Sequence, residues 1–287
     1  MYTVAGSTGN VGSAVADYLL RQGANVRVVV RNSDRAKHWA ERGAEVVEAD
    51  FDQPAHMAEA IRGSRGFFAL LPMDLSTDDF HRRSRVQVDS IAKAVAGSEV
   101  PHVVLLSSGG AHRSDKNGPI SALHHLENAL RHDTAAVVTA LRPGHFQEKV
   151  RDVLEVARHQ KIYPVFADSA QRQIPMVATR DIGVEAAKAL LAEPGTSETI
   201  DLVGPSYTET QVAQALGEQL GHALTVATIP SSERADLLQQ QGMSAHIAEL
   251  LTELYAADDA GLLDPCGDRA IPVTTPIETT ISRILKG

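Results

Sequence analysis

Gly6-Ser7-Thr8-Gly9-Asn10-Val11-Gly12 sets three glycines three apart, between a short apolar run and a stretch of helical periodicity. In such a turn the first glycine permits a tight exit from a strand, the second lets backbone N–H groups approach a diphosphate, and the third lets helix and strand pack closely. The helix N-terminus behind it adds partial positive charge. The spacing alone also describes an ordinary turn; the strand before it and the amphipathic helix after it supply the context of a dinucleotide site. Gly6, Ser7, Thr8, Gly9, Asn10, Val11 and Gly12 are therefore candidate cofactor-binding residues. The form of the cofactor is read at the end of the next apolar run, Val26–Val30. Where a chain preferring NAD(H) carries Asp or Glu for the ribose hydroxyls, this one carries Arg31, then Ser33 and Arg35. A carboxylate repels the 2′-phosphate, whereas each charge-assisted hydrogen bond from a guanidinium is worth about 1.5–3 kcal/mol. The expectation is NADP(H) in preference to NAD(H), held by Arg31 and by Arg35, whose alternative is a solvated helix charge. Asp50 and Phe51 close the third strand where they would edge the adenine, helix capping being the other reading of Asp50.

Proton chemistry has fewer candidates. Ser107 and Ser108 follow an apolar run, and His112, His124, His125 and His145 are the nearest titratable side chains. An unperturbed imidazole titrates near ~6.5, so it donates or accepts at neutral pH. His124 and Glu127 lie three apart on one predicted helix, where the carboxylate would orient the ring. With 12 His in the chain, most are surface or satisfied residues. No group of three or more converging ligand types stands out, so no metal is expected.

The elements that must position these residues alternate. Apolar runs at 2–5, 26–30, 45–49, 66–71 and 102–106 read as strands. The stretches 10–22, 34–42, 55–61 and 80–96 read as helices between them, the first stopped by Gly23 and the second by Gly43. That pattern predicts an α/β fold, a Rossmann-type doubly wound parallel sheet with helices on both faces. After about residue 150 the alternation loosens, with strands at 173–177 and 199–203 and helices over 180–192, 207–221 and 231–257. The expected division is a dinucleotide-binding domain over 1–150, its sheet completed by 172–204. A small, mostly helical substrate-side lobe comprises 205–287 with 151–171. The chain has 287 residues, a formal charge of −9 and one cysteine, Cys266. The acidic balance argues against nucleic acid, which needs a basic footprint. The absence of any long apolar run argues against a membrane, and a single cysteine fits a reducing cytoplasm.

With these residues in place the sequence resembles the NmrA-like branch of the atypical short-chain dehydrogenase/reductases. The likeness rests on the glycine turn, Arg31-Asn32, Asp50-Phe51-Asp52, Leu70-Leu71-Pro72 and Leu141-Arg142-Pro143-Gly144-His145-Phe146-Gln147-Glu148. It continues in Ile174-Pro175-Met176-Val177, Arg180-Asp181-Ile182-Gly183 and Leu202-Val203-Gly204-Pro205. The resemblance implies a Rossmann fold, a small C-terminal lobe and NADP(H) at the glycine turn, with Leu71 and Pro72 beside it. It implies either an NAD(P)H-dependent reductase of quinones or aromatic compounds, or a silent sensor of the cofactor's redox state. The wider family's catalytic Tyr and Lys have no counterpart. The tyrosines are Tyr2, Tyr18, Tyr163, Tyr207 and Tyr255, and the position four before Glu127, where relatives often carry Lys, is Leu123.

Reducing an isolated ketone makes a strongly basic alkoxide and needs a positioned acid. Hydride reduction of a quinone makes a resonance-stabilised phenolate-type anion, for which a few hydrogen-bond donors suffice. The leading expectation is thus an NADPH-dependent oxidoreductase of a quinone or related aromatic, in bacterial secondary metabolism. Ser107 or Ser108 would bond the acceptor oxygen and His124 or His145 would assist the proton. Phe67, Phe68, Met73, Phe80, Phe146 and Phe166 are candidate apolar walls, core packing being the alternative for the first two. The alternatives are an NADP(H) sensor acting on a regulatory protein partner, and an isomerase or oxygen-dependent modifier of an aromatic polyketide on the same fold. A homodimer is left open.

Overall fold

The structure is a computed structural model and describes residues 1–286. Eight parallel strands form the central sheet: β1 (Tyr2–Ala5), β2 (Val26–Val30), β3 (Glu45–Glu48), β4 (Gly66–Leu70), β5 (His102–Leu106), β6 (Val137–Pro143), β10 (Glu198–Val203) and β13 (Arg269–Pro272). Their spatial order is β3-β2-β1-β4-β5-β6-β10-β13. The order reverses between β1 and β4, and in open α/β sheets that reversal opens a crevice at the strands' carboxyl ends. The expected Rossmann-type doubly wound sheet is what the chain forms.

Two cores follow from the pleat. Phe67, Ala69, Val103 and Leu105 point to one face, Phe68 and Val104 to the other. The first face is covered by α3 (Pro54–Ile61), α4 (Phe80–Ser98) and α5 (Ser121–Asp133). The second is covered by α1 (Asn10–Arg21), α2 (Lys37–Glu41) and α7 (Thr179–Leu191). Burial on both faces explains why these strands read as continuous apolar runs rather than alternating ones. Phe67, Phe68 and Phe80 are fully buried, so they are core and not substrate walls.

The remaining elements are α6 (Val150–Gln160), α8 (Glu209–Leu220), α9 (Ser231–Gln240), α10 (Ala245–Asp259) and α11 (Ile277–Lys286). Two small sheets join them: β7 (His145–Phe146), β9 (Ile174–Val177) and β11 (Ser206–Tyr207) in one, β8 (Ile162–Val165) and β12 (Thr225–Thr228) in the other. A third apolar cluster joins α6, α8, α11, β8 and β9, while α9 and α10 pack into the first core through Leu238, Ile247, Leu250 and Leu251.

Several expectations are corrected here. The strand at 173–177 forms but pairs outside the main sheet, while β13, from the segment expected to be lobe, supplies the main sheet's edge. The helix over 34–42 is a 3₁₀ turn, Ser33–Ala36, followed by the short α2. The helix over 231–257 is broken into α9 and α10 at Gly242, whose φ of +93° ends the first helix. β6, α6, β8, β12, β13 and α11 lie outside the expected elements.

Candidate active site

The glycine loop does what its spacing predicts at two of three positions. Gly6 has φ +67°, and a Cβ there would strike Leu70 at the end of β4. A Cβ on Gly12 would strike the Gly6 carbonyl and stand 2.7 Å from that of Ala5, so α1 starts flush against β1. Gly9 is different. It is exposed and extended, φ −102° and ψ 176°, and its Cβ would meet only the Gly6 carbonyl at 3.4 Å. The fold itself makes little demand for glycine at position 9. No side chain caps α1 and no acidic residue sits in its first turn. Ser7, 1% exposed, has a buried hydroxyl without a hydrogen-bond partner among the described residues. An uncapped helix start, an orphaned hydroxyl and an open glycine fit an anionic diphosphate. Thr8 and Asn10 are exposed on the loop, and Val11 is buried beneath it. Leu71 is buried and Pro72 half-buried just past β4, beside the loop.

Arg31 and Arg35 are both exposed after β2, and neither has an ion-pair partner among the described residues. Asn32 caps the 3₁₀ turn, its side-chain oxygen accepting from the Asp34 amide at 2.9 Å. Two acidic residues near this turn carry no expectation above. Glu48 accepts from the Ser33 amide at 2.7 Å, and the Ser76 hydroxyl and amide, with smaller help from Arg83 and Arg31, lower the Asp74 carboxyl. Asp50 makes a turn of its own, accepting from the Asp52 amide at 3.1 Å, and the cap of α3 is Gln53. Phe51 is half-buried against the α3–α4 core. Trp39, the only tryptophan, is buried under the turn and donates from Nε1 to the Ser7 carbonyl at 3.2 Å.

The serines separate. Ser107 is buried and donates to Glu127 Oε1 at 2.5 Å. Glu127 also takes a two-pronged bond from Arg142, Nε to Oε1 at 2.9 Å and Nη2 to Oε2 at 2.6 Å. Glu127 therefore ties α5 to β6 and to the end of β5, and it does not orient His124. The Ser107 hydroxyl, given to Glu127, is correspondingly unavailable to donate to an acceptor oxygen as expected of it. Ser108 is half-buried, and its hydroxyl has no partner among the described residues.

His124 is also committed. Its Nδ1 lies 3.0 Å from the Ala111 carbonyl, so that nitrogen donates, and Nε2 accepts from Asn128 Nδ2 at 2.9 Å. With both ring nitrogens used, the ring braces the loop after β5 and has no proton to exchange with a substrate. His112 Nδ1 lies 3.0 Å from Cys266 Sγ; burial lowers its pKa first, with Arg142 and Arg113 adding to the effect. His125 is exposed, and burial of the ring, then His124, Arg85 and His81, lower its pKa.

His145 has a partner that sequence reasoning missed. Pro143 ends β6, and a Cβ on Gly144 would come within 2.9 Å of the Pro175 carbonyl, so only glycine lets β7 turn onto β9. That pairing sets His145 opposite Met176. From α10, Asp258 Oδ1 lies 3.1 Å from His145 Nε2, and Oδ2 lies 2.5 Å from Arg172 Nη2. Burial pushes the Asp258 carboxyl up, but the His145 and Arg172 contacts outweigh it and bring the carboxyl down to about 2. The signal was invisible in sequence because 113 positions separate the two residues and α10 reads as an ordinary apolar helix. A depressed native pKa adds stability above the unfolded value and loses it as pH falls. Asp258 thus contributes about 2 kcal/mol that fades between roughly pH 4 and 2. Urea unfolding at a series of pH values should show that loss in the wild type and a flatter curve in Asp258→Asn.

No Tyr or Lys completes the site. Tyr163 donates to Glu209, Tyr207 accepts from the Ile277 amide, and Tyr255 stacks on Phe166 at 5.1 Å. Leu123 is buried in the α5 core. Among the described residues there is no group of three or more His, Cys, Asp or Glu able to hold a metal ion. Of the expected walls, Met73 is exposed, Phe146 is half-buried, and Phe166 is half-buried under Tyr255.

Residues 2–283 match the profile of the NmrA-like family. The chain belongs to that family. Among curated relatives of this NmrA-like protein, the NAD(P)H azoreductase of Xenophilus azovorans is 23% identical, the match covering 92% of this chain and 91% of the relative. Quinone oxidoreductase 2 of Escherichia coli is 26% identical over 92% of this chain and 90% of the relative. Among solved structures, the NADPH-dependent quinone oxidoreductase of Escherichia coli complexed with NADPH superposes with a TM-score of 0.79 at 20% identity, covering 99% of this chain and 100% of that one. The Citrobacter sp. triphenylmethane reductase complexed with NADP(H) gives 0.80 at 23%, covering 99% of each. At these identities the structural likeness carries the NmrA-like fold. No helix among the described residues is long and apolar enough to cross a membrane.

Proposed function

We propose that this NmrA-like protein is an NADPH-dependent oxidoreductase that reduces a quinone or a related aromatic compound. The observation that carries the reading is the glycine loop at the β1–β4 reversal, open at Gly9 and uncapped on α1, with the unpaired Arg31 guanidinium beside it. Relatives named as quinone oxidoreductase and NAD(P)H azoreductase, matched along nearly the whole chain, support the same chemistry. Ser7, Gly9 and the first amides of α1 hold the diphosphate, Arg31 and Arg35 hold the 2′-phosphate, and Asp50 and Phe51 edge the adenine. Bound this way, the nicotinamide supplies the hydride.

The chain's own residues then orient the acceptor. The Ser108 hydroxyl donates to the acceptor oxygen as negative charge develops there. His145, with Nε2 fixed by Asp258, exchanges the accompanying proton through Nδ1. Two modest donors suit a phenolate-type product, so catalysis rests mainly on holding nicotinamide and acceptor face to face. Mixing the NADPH-loaded protein with a panel of quinones should give a fast loss of nicotinamide absorbance with at least one of them. Silence across the panel would favour a second reading. In that reading the protein is a cofactor-sensing regulator, which the commitment of Ser107 and His124 to structural bonds supports. A place in bacterial secondary metabolism and a cytoplasmic location belong to the proposal as well.

Arg31→Asp tests the phosphate assignment. The substitution removes one charge-assisted bond and adds a repulsive charge, so NADPH should bind about ten- to a hundredfold more weakly. NADH should change little. Equal losses for both coenzymes would remove Arg31 from the phosphate role.

A further inference from the structure

The turn that follows β2 holds an acidic residue where an NADP(H) site calls for donors only. Glu48 ends β3 directly opposite Val30, the last residue of β2. Its Oε1 accepts from the Ser33 amide at 2.7 Å. The neighbouring Asp34 amide is already spent on the Asn32 side chain at 2.9 Å. The Ser33 and Asp34 amides, two and three residues past Arg31, are thus both taken by protein oxygens, and one of those oxygens carries charge. Ser33 lowers the Glu48 carboxyl below the usual range, through its hydroxyl and then its amide. Of the other charges at the turn, Asp34 is paired with Lys37 at 2.8 Å, Asp74 accepts from the Ser76 amide and hydroxyl, and Arg31 and Arg35 remain for a ligand.

We propose that Glu48 is a specificity-determining residue that works against the 2′-phosphate, occupying the Ser33 amide and placing a like charge beside the phosphate held by Arg31 and Arg35. This rests on the reading of the glycine loop and Arg31 as an NADP(H) site and deepens it. Discrimination between the two coenzymes is then a difference between opposed terms, guanidinium attraction against carboxylate repulsion and competition. The protein prefers NADPH by less than two arginines alone would give, and NADH remains a usable coenzyme. Nothing comparable acts on NADH, whose adenosine ribose brings no charge to this turn.

Glu48→Gln isolates the effect, because the amide oxygen still accepts from Ser33 while the charge is gone, and the side chain is exposed. At about 0.15 M salt the Kd for NADPH should fall about threefold, and about tenfold at low salt, where screening is weaker. The Kd for NADH should stay the same at both. Titrations of wild type and Glu48→Gln with each coenzyme, followed by calorimetry, give the four values needed. An NADPH affinity that is unchanged or weaker, in a wild type that binds NADPH, would overturn the role of Glu48 alone. Parallel shifts for both coenzymes, independent of salt, would make Glu48 a brace for the turn and also overturn it. A wild type that binds neither coenzyme would remove the cofactor reading and this proposal together.

Discussion

Gly9→Val should bind NADPH at least about a hundredfold more weakly while its unfolding midpoint moves little. The asymmetry comes from the three glycines having different reasons to be glycine. Gly6 sits at positive φ against Leu70, and Gly12 touches the carbonyls of Gly6 and Ala5, so side chains at either position damage the fold. At Gly9 the backbone is extended, a conformation that β-branched residues favour, and a Cβ finds only one contact at 3.4 Å. Replacing a glycine N-cap by valine costs on the order of 1 kcal/mol. An isopropyl group over the loop, by contrast, stands where the diphosphate must approach the amides. Circular dichroism melts and calorimetry on the same preparation separate the two effects. Tight NADPH binding by the variant would place the site elsewhere.

Arg142→Ala should destabilise the protein by about 3–5 kcal/mol, because it leaves the Glu127 carboxylate buried and uncompensated. The two side chains are 7% and 3% exposed and joined by two short bonds, with Ser107 as a third donor. The paired exchange Arg142→Met with Glu127→Leu should recover more than half of that loss, since both buried charges are gone and the half-buried Arg131 loses only a 3.9 Å contact. What remains reflects mainly the orphaned Ser107 hydroxyl. Urea unfolding measures both. If the double variant were as unstable as the single one, the ion pair would be doing more than fastening α5 to β6.

The fold was legible because its strands are buried on both faces and separated by helices with clean stops, as in 26–30 and 102–106, where prediction and structure coincide. The glycine turn was legible for a related reason: the strand before it and the helix after it are its neighbours in the chain, and Gly12 packs on Gly6 and Ala5. Legibility failed where function depends on distant pairing. His124 and Glu127 share a helix face, yet each is claimed by a group from another element, Ala111 for one and Arg142 for the other. Asp258 gives no local sign that it holds His145, and Glu48 reads as one more exposed strand end until its bond to Ser33 is seen. β13 was missed because a mostly exposed edge strand of four residues has no apolar period to detect.

The most direct measurement is a titration of the wild-type protein with NADPH and with NADH, read through the fluorescence of Trp39. That ring is the only tryptophan, and it bonds the Ser7 carbonyl of the loop itself. Saturable quenching by NADPH, with a lower Kd than for NADH, is the predicted result. Unchanged Trp39 emission together with no heat on calorimetric titration of either coenzyme would contradict the account.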